Sequence, residues 1–103
     1  MSNKIIVNVS SALQGLLPRF LANRELDIAT LKTALANNDF ETFRALGHKL
    51  KGSGGGYGFD ALSDLGGRME IAAAASPDAA VLAALLAEYE DYMARVEVVF
   101  VQR

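Results

Sequence analysis

The chain has 103 residues, a length that accommodates one compact domain but no second hydrophobic core of comparable size, which excludes a multidomain enzyme. Hydrophobic residues make up 51% of the chain and charged residues 21%, and the net charge is -2, as in a folded domain rather than a disordered or nucleic-acid-binding chain. Cysteine is absent, which excludes disulfides, thiolate metal sites and cysteine nucleophiles and favours a reducing compartment.

The beginning of the chain shows no targeting signal. Residues 1–10 contain one lysine and an apolar stretch too short for the core of a signal peptide, and no apolar run of about 18 residues occurs. We therefore expect a single cytoplasmic domain over residues 1–103, without a membrane anchor.

Two helices are predicted in the first third of the chain. The Ser-x-x-Gln spacing that begins at Ser11 is typical of a capping box and predicts a short first helix. Pro18 is tolerated in a first helical turn, so a second helix is predicted over about residues 18–36, ended by Asn37 and Asn38. The predicted apolar face of this second helix is Leu17, Phe20, Ile28, Leu31 and Leu35.

A third helix is predicted from an N-cap at Asp39 to about Gly52. Its apolar face is Phe40, Phe43, Leu46 and Leu50. Five of the seven residues 52–58 are glycine, each costing about 1 kcal/mol relative to alanine inside a helix, so regular structure is expected to loosen there.

Two more helices are predicted in the second half. Asp60 is expected to cap a fourth helix that runs to about Ala75, with Leu62, Leu65, Met69, Ala72 and Ala73 facing inward. Ser76 as N-cap, Pro77 at the first helical position and Asp78 in the first turn predict a fifth helix, the longest. Its predicted inward residues are Leu82, Leu85, Leu86, Tyr89, Met93, Val96 and Phe100.

The pattern as a whole favours an all-α fold, because sustained alternation of period two is absent and alanine and leucine are abundant. Short connections between amphipathic helices favour antiparallel neighbours. Helices two to five are therefore expected to form an antiparallel up-down-up-down four-helix bundle, with the short N-terminal helix as a lid.

His48 is the only histidine. On a helical wheel it lies about 140° from the apolar direction of the third helix, beside Arg44, Lys51, Gly52 and, if the helix continues, Gly55. The imidazole is therefore expected to face solvent, either as an ordinary surface histidine or as a reactive group.

The charges around His48 favour an anionic partner. No acidic residue lies between Glu41 and Asp60, whereas this stretch contains Arg44, Lys49 and Lys51. Such a basic patch attracts a phosphoryl group, although three cations on a solvated helix face also occur by chance.

Other chemistries fit this region poorly. Residues 52–58 lack the Gly-Lys-Ser/Thr position of a P-loop and are either a flexible turn or a bare surface that a macromolecule can approach. A single histidine without nearby carboxylates or cysteines does not make a typical zinc site. Ser53 is close to His48 in sequence, but nothing acidic flanks the pair to orient a serine–histidine catalytic unit.

Residues 47–59, Gly-His-Lys-Leu-Lys-Gly-Ser-Gly-Gly-Gly-Tyr-Gly-Phe, closely resemble the signature of histidine-containing phosphotransfer (HPt) domains, the phosphoryl carriers of two-component relays. In that family the segment lies midway along a four-helix bundle, and a helix follows that ends near a Glu-x-Ala element, here Glu70-Ile71-Ala72. Leu31 to Leu35 and Asp39-Phe40 also resemble the family, so the resemblance covers about residues 12–100.

The resemblance implies that His48 is the phosphorylated histidine, Lys51 the cation beside the phosphoryl group and Gly52 the small residue that admits a receiver domain. Arg44 and Lys49 are further candidates for binding the phosphoryl group, and Ser53 and Gly55 for contacting the partner. Neutral imidazole is a nucleophile near pH 7, so attack on a phospho-aspartate is chemically reasonable. No cofactor of its own is expected, and the receiver domain is expected to supply Mg²⁺.

The leading hypothesis is a free-standing, monomeric carrier without an ATP site, which moves phosphoryl groups between receiver domains of a hybrid sensor histidine kinase and a response regulator. One alternative is a helical adaptor that binds a receiver or kinase without accepting phosphate. Another is an acceptor domain detached from a larger kinase. No nucleic-acid or membrane partner is expected, and the role of Arg24, three residues before Asp27, is open between pairing, snorkelling and docking.

Overall fold

The computed structural model describes residues 3–75 and 77–102 and is mostly helical. The elements in chain order are strand β1 (Ile5–Ser10), a 3₁₀ turn (Ser11–Leu13), helices α1 (Leu17–Ala36) and α2 (Phe40–Gly54), a second 3₁₀ turn (Gly55–Tyr57), helices α3 (Asp60–Ala74) and α4 (Ala79–Arg95), and strand β2 (Val96–Val101). The predicted second to fifth helices correspond to α1 to α4.

The four helices enclose the core. Each packs against two others, α1 against α2, α2 against α3, α3 against α4 and α4 against α1. The largest fully buried side chains come from all four helices, from β1 and from the turn before α3: Val9, Leu31, Phe43, Phe59, Leu62, Met69, Leu82 and Tyr89. Burial of their apolar surface provides the main favourable free energy of folding.

The all-α expectation is wrong at the two ends of the described chain, because β1 and β2 pair as a two-stranded parallel sheet. The register runs from Ile5 opposite Val96 to Ser10 opposite Val101. Both segments are rich in β-branched residues, which suit a pleated surface. Each strand is only six residues long and its partner is distant in the chain, so local periodicity does not reveal the pairing.

The sheet also shortens the last helix. The predicted fifth helix was expected to continue through Phe100, but α4 ends at Arg95 and Val96 has an extended backbone. With 17 residues α4 is shorter than α1, which has 20, so the prediction that the last helix is the longest is wrong.

Several predicted helix starts also differ from the structure. The first helix is a single 3₁₀ turn capped by Ser10, whose Oγ accepts from the Ala12 N–H at 3.3 Å, instead of a helix capped at Ser11. Asp60 lies in the first turn of α3, after Phe59 in the capping position. Asp78 is the N-cap of α4, since it accepts from the Ala80 N–H at 2.8 Å, and Pro77 precedes the helix. The predicted cap at Ser76 falls outside the described residues.

The boundary between α1 and α2 agrees with the prediction. Asn38 follows α1 with a left-handed φ of 52°, a conformation that asparagine tolerates. Asp39 caps α2, because Oδ1 accepts from the Thr42 N–H at 3.1 Å and Oδ2 from the Thr42 hydroxyl. These hydrogen bonds hold the pKa of the Asp39 carboxyl below its ordinary value.

No helix in the described part of the chain combines the length and the apolar character that crossing a membrane requires.

Candidate functional site

His48 lies in the middle of α2 and faces solvent, as its place on the helical wheel predicted. Its side chain is 69% exposed, whereas Phe43, Gly47 and Leu50 on the opposite side of the helix are buried. A reacting group of another molecule therefore reaches the imidazole without any rearrangement of the core.

Glu70 of α3 holds the imidazole. Its Oε2 lies 2.8 Å from His48 Nδ1, and its side chain is 23% exposed. An ionised carboxylate only accepts hydrogen bonds, so in the neutral imidazole Nδ1 carries the proton and Nε2 keeps its lone pair. The expectation that no carboxylate lies near His48 is therefore wrong, because α3 brings one across from 22 residues along the chain.

Two glycines explain how α3 comes close enough. A Cβ atom on Gly47 would lie 2.8 Å from the Glu70 backbone nitrogen and 2.8 Å from the Gly66 carbonyl oxygen. A Cβ atom on Gly66 would lie 2.7 Å from the Gly47 carbonyl oxygen and 2.5 Å from the Lys51 nitrogen. Only glycine permits this backbone contact, which places Glu70 beside the residue that follows Gly47.

Lys51 lies one turn after His48 on the side of α3. Its Nζ is 4.0 Å from Glu70 Oε1, and its side chain is 60% exposed. The aliphatic part of Lys51 passes near Gly67, where a Cβ atom would lie 3.7 Å from Cδ. The ammonium group is therefore close to the imidazole through their shared neighbour, Glu70, and remains open to solvent.

Gly52 lies about one turn after His48 in α2, and Gly55 follows at the start of the second 3₁₀ turn. A Cβ atom on either would meet nothing within 4 Å. Gly54 differs, because it is buried and a Cβ atom there would lie 2.8 Å from the Ser63 nitrogen. Gly58 differs as well, since its φ of 91° is a left-handed conformation. Close packing therefore requires glycine at position 54 and the left-handed backbone favours it at position 58. Neither reason applies at Gly52.

The other predicted binding residues separate onto different sides of α2. Arg44 pairs with Glu41, with Nε 2.9 Å from Oε2, and this contact raises the pKa of Arg44 and lowers that of Glu41. Lys49 and Ser53 line a cleft between α1 and α2, away from the side that faces Glu70. The positive charge predicted around His48 is partly balanced, because Glu41 pairs with Arg44 and Glu70 lies 4.0 Å from Lys51.

Arg24 also lines this cleft. It is buried, its Nε lies 2.8 Å from Asp27 Oδ2, and its guanidinium stands 4.7 Å from the centre of the Phe20 ring. The hydroxyl of Tyr89 donates to the same Asp27 oxygen at 3.3 Å. Arg24 thus pairs with Asp27, which is one of the roles that its position in the sequence left open, and Tyr89 joins this contact to α4.

Within residues 3–75 and 77–102, no group of three or more His, Cys, Asp or Glu side chains is arranged to hold a metal ion. Glu70 is an acid of the kind that orients a catalytic histidine, but Ser53 lies on the other side of α2, in the cleft. The arrangement thus provides an exposed, oriented imidazole with a neighbouring cation.

Sequence reasoning named Glu70 only as part of the Glu-x-Ala element and gave it no role. Gly47 appeared only within the quoted motif, without a role, and Gly66 was not singled out. The available signal was the placement of Gly47 on the apolar side of α2, next to His48, where a large side chain is expected in an ordinary core.

Comparisons with known proteins place this arrangement in a family. Searches of curated proteins and of solved structures gave no significant match. A family model described as the Hpt domain matches residues 15–98, which include all four helices up to the middle of β2. The chain therefore belongs to the Hpt domain family, whose members serve phosphotransfer in two-component signalling.

Proposed function

We propose that this protein is a phosphorelay intermediate, in which His48 accepts a phosphoryl group from the phospho-aspartate of one receiver domain and passes it to the aspartate of another. The observation that carries the proposal is the 2.8 Å contact between His48 Nδ1 and Glu70 Oε2 on an exposed imidazole. It leaves Nε2 unprotonated and directed away from its carboxylate partner, as a nucleophile requires.

The transfer step needs no cofactor bound to this chain, because the bond that forms and the bond that breaks involve only the imidazole and the phospho-aspartate. The Nε2 lone pair attacks phosphorus in line, the bond between phosphorus and the aspartyl oxygen breaks, and the aspartate leaves as a carboxylate. The imidazole then carries the phosphoryl group on Nε2 and its proton on Nδ1. The positive charge that develops on the ring is stabilised by Glu70, and attack by a second aspartate reverses the step.

The neighbouring residues have separate roles in this proposal. Lys51 offsets negative charge on the equatorial phosphoryl oxygens. Gly52 and Gly55 leave room for the receiver, while Lys49 and Ser53 contact it beside the reacting atoms. The receiver would supply the carboxylates that hold Mg²⁺, and this ion would offset phosphoryl charge.

Short connections and the closed order of helix contacts favour alternating helix directions in the bundle. We propose that the protein works as a monomeric cytoplasmic carrier without an ATP site, between a hybrid sensor histidine kinase and a response regulator. The source organism's receivers, screened one by one, would identify the partners and the direction of transfer.

The test compares the parent protein with His48→Gln, each incubated with chemically phosphorylated receivers. The parent should acquire an acid-labile, alkali-stable label, and the variant should acquire none while its circular dichroism spectrum stays helical. Label that persists on the folded variant would contradict the assignment of His48. A parent protein that binds the receiver without accepting label would be an adaptor, and direct labelling by an ATP-binding kinase domain would indicate a detached kinase module.

A further inference from the structure

The last turn of α2 carries Lys51 and has a sequence that disfavours helix. Four of the five residues 52–56 are glycine, yet α2 continues to Gly54. Glycine is a poor helix former because it loses the most backbone freedom on folding. Local helix propensity therefore does not hold this turn, and contacts with neighbouring elements are needed to keep it ordered.

Ser63 of α3 provides one such contact. Its hydroxyl donates to the Lys51 carbonyl oxygen at 2.6 Å, across 12 residues of the chain. A serine inside a helix often bonds the carbonyl four residues earlier in its own helix, whereas Ser63 bonds a neighbouring helix. This hydrogen bond ties the backbone of α2 at Lys51 directly to α3.

The same face of α3 follows Lys51 beyond its carbonyl group. A Cβ atom on Gly66 would lie 2.5 Å from the Lys51 nitrogen, and one on Gly67 would lie 3.7 Å from Lys51 Cδ. Glu70 Oε1 lies 4.0 Å from Lys51 Nζ. Spacings of three and four residues place these positions on one face of α3, with Ser63 first and Glu70 last. This face therefore lies along Lys51 from its backbone to its ammonium group.

The ammonium group itself has little to fix it in place. The Lys51 side chain is 60% exposed, and a distance of 4.0 Å to Glu70 is long for an ion pair. A long side chain with a solvated end samples many rotamers, so the position of the Lys51 backbone sets the region that Nζ reaches. Misplacement of a reacting or charge-stabilising group by about 1 Å can slow a reaction by about a hundredfold.

We propose, on the basis of the function proposed for His48, that Ser63 is a positioning residue for phosphoryl transfer. It holds the last turn of α2 against α3, so that the Lys51 ammonium stays beside the phosphoryl group on His48. Without the Ser63 hydroxyl, the Lys51 carbonyl loses a donor and the glycine-rich turn loosens. The ammonium then spends less time near the equatorial phosphoryl oxygens.

The test measures transfer from a phosphorylated receiver to Ser63→Ala. The rate at saturation should fall about three- to tenfold and KM should stay within about twofold of the parent value, because a hydrogen bond is lost but no exposed docking group. Amide hydrogen exchange over residues 52–56 should become faster. Ser63→Thr keeps a hydroxyl and should resemble the parent in both measurements. A parent rate in Ser63→Ala, or equal losses in Ser63→Ala and Ser63→Thr, would overturn the proposal.

A Lys51→Ala background separates positioning of Lys51 from a general structural role. Because Ser63 acts through Lys51, adding Ser63→Ala to Lys51→Ala should change the transfer rate by less than about twofold. A loss as large as the one in the parent background would show that the hydroxyl acts by another route, and would overturn the proposal.

Thr33→Ala is the matched control. The Thr33 hydroxyl also donates to a helix carbonyl, that of Ala29 at 3.3 Å, but this hydrogen bond lies within α1. The rate at saturation and KM should both stay within about twofold of the parent values. A loss equal to that of Ser63→Ala would show that removing any such hydroxyl slows transfer, and would overturn the role of Ser63.

Labelling of His48 by phosphoramidate, a small phosphoryl donor that needs no docking, separates failure of this role from failure of the carrier function. Ser63→Ala should be labelled more slowly by about the same factor, because Lys51 acts on the phosphoryl oxygens of either donor. Labelling at the parent rate together with slow transfer from a receiver would overturn the positioning role and leave the carrier function standing. A parent protein labelled by neither phosphoramidate nor any receiver would overturn the carrier function itself.

Discussion

At the scale of single residues, the contact between Glu70 and His48 decides which imidazole nitrogen reacts. The carboxylate accepts from Nδ1–H and balances the charge that the ring gains on phosphorylation. Hydrogen bonds to charged groups contribute about 1.5–3 kcal/mol, which corresponds to about ten- to a hundredfold or more in rate. Glu70 is thus a positioning residue whose effect is measurable through His48.

We expect Glu70→Ala to slow transfer to a receiver by about ten- to a hundredfold and Glu70→Gln to slow it less, because the amide oxygen still accepts from Nδ1–H. The imidazole ¹⁵N chemical shifts should show Nδ1 protonated in the parent and in Glu70→Gln and a mixture of tautomers in Glu70→Ala. Parent-like rates and shifts in Glu70→Ala would contradict the role assigned to Glu70.

Tyr89 is a buried residue with a predictable effect on stability at high pH. Burial raises its pKa above the ordinary value, and the nearby Asp27 carboxylate acts in the same direction. The unfolded tyrosine releases its proton near pH 10 while the folded one retains it, so Tyr89 makes stability fall as pH rises above about 10. Below that pH both states are protonated and this contribution is constant.

We expect Tyr89→Phe to flatten the decrease in the free energy of unfolding between about pH 9.5 and 11.5, measured by urea denaturation. Burial raises the pKa of Tyr92 too, so Tyr89→Phe removes only the part of the pH dependence that Tyr89 causes. Near pH 7 the variant should be less stable, because Asp27 loses the hydroxyl that donates to it. Parallel curves for parent and variant above pH 10 would refute the assignment.

At the scale of elements, α2 has one glycine that faces solvent, Gly52, and one that contacts α3, Gly47. Adding a side chain is expected to have opposite effects on stability at these two positions. Gly52 lies inside α2 with open space at its Cβ position. We expect Gly52→Gln to be neutral or to stabilise the protein by up to about 1 kcal/mol, because glycine is a poor helix former. Transfer to a receiver should fall about a hundredfold, because the new side chain displaces the incoming aspartate.

Melting temperature and transfer rate, measured together, test the prediction for Gly52. Ala83→Gln, an exposed position on α4, is the control for added bulk and should leave transfer unchanged. Undiminished transfer in Gly52→Gln would reject a role for Gly52 in partner access. A large loss of stability would show that the fold requires glycine at position 52.

Gly47 lies on the other side of the same helix. We expect Gly47→Ala to destabilise the protein by about 1–3 kcal/mol, because a Cβ atom 2.8 Å from the α3 backbone pushes the two helices apart. It should also slow transfer, since Glu70 moves with α3. Gly52→Ala is the matched control in the same helix and should not destabilise. Equal unfolding free energies for the two variants would contradict the close contact between α2 and α3.

At the scale of the whole molecule, the parallel sheet joins segments from opposite ends of the described chain and closes over the bundle. Val7 and Val9 of β1 face the core and are buried, while Ile6 and Asn8 face outward. A two-stranded sheet has little stability of its own, so its persistence depends on this packing against the helices.

We expect Val9→Ala to lower the free energy of unfolding by about 1–3 kcal/mol, since Val9 is 1% exposed and its methyl groups leave a cavity. Ile6→Ala, on the outer face of the same strand at 54% exposure, should change it by less than about 0.5 kcal/mol. Urea denaturation of both variants checks the pair. Equal effects would show that β1 does not pack on the bundle.

The sequence by itself determined the features that depend on near neighbours. Amphipathic spacing and the cap at Asp39 indicated α1 to α4, with boundaries within about three residues except at the end of α4. The position of His48 on the helical wheel placed it in solvent. The motif around His48 also indicated the family that the Hpt match shows. These signals are local because a helix bonds each residue to one four positions away.

Tertiary structure alone decided the features that join distant segments. The pairing of β1 with β2, the arrival of Glu70 at His48, and the contact of Gly47 with Gly66 each bring together residues that no local pattern relates. Lys49 and Lys51 likewise lie on two sides of His48, Lys49 toward α1 and Lys51 toward Glu70 of α3. This arrangement depends on which helix packs on each side of α2. The physical reason is that contacts between elements arise from burial and close packing, which constrain the folded chain and leave little trace in the spacing of residues along it.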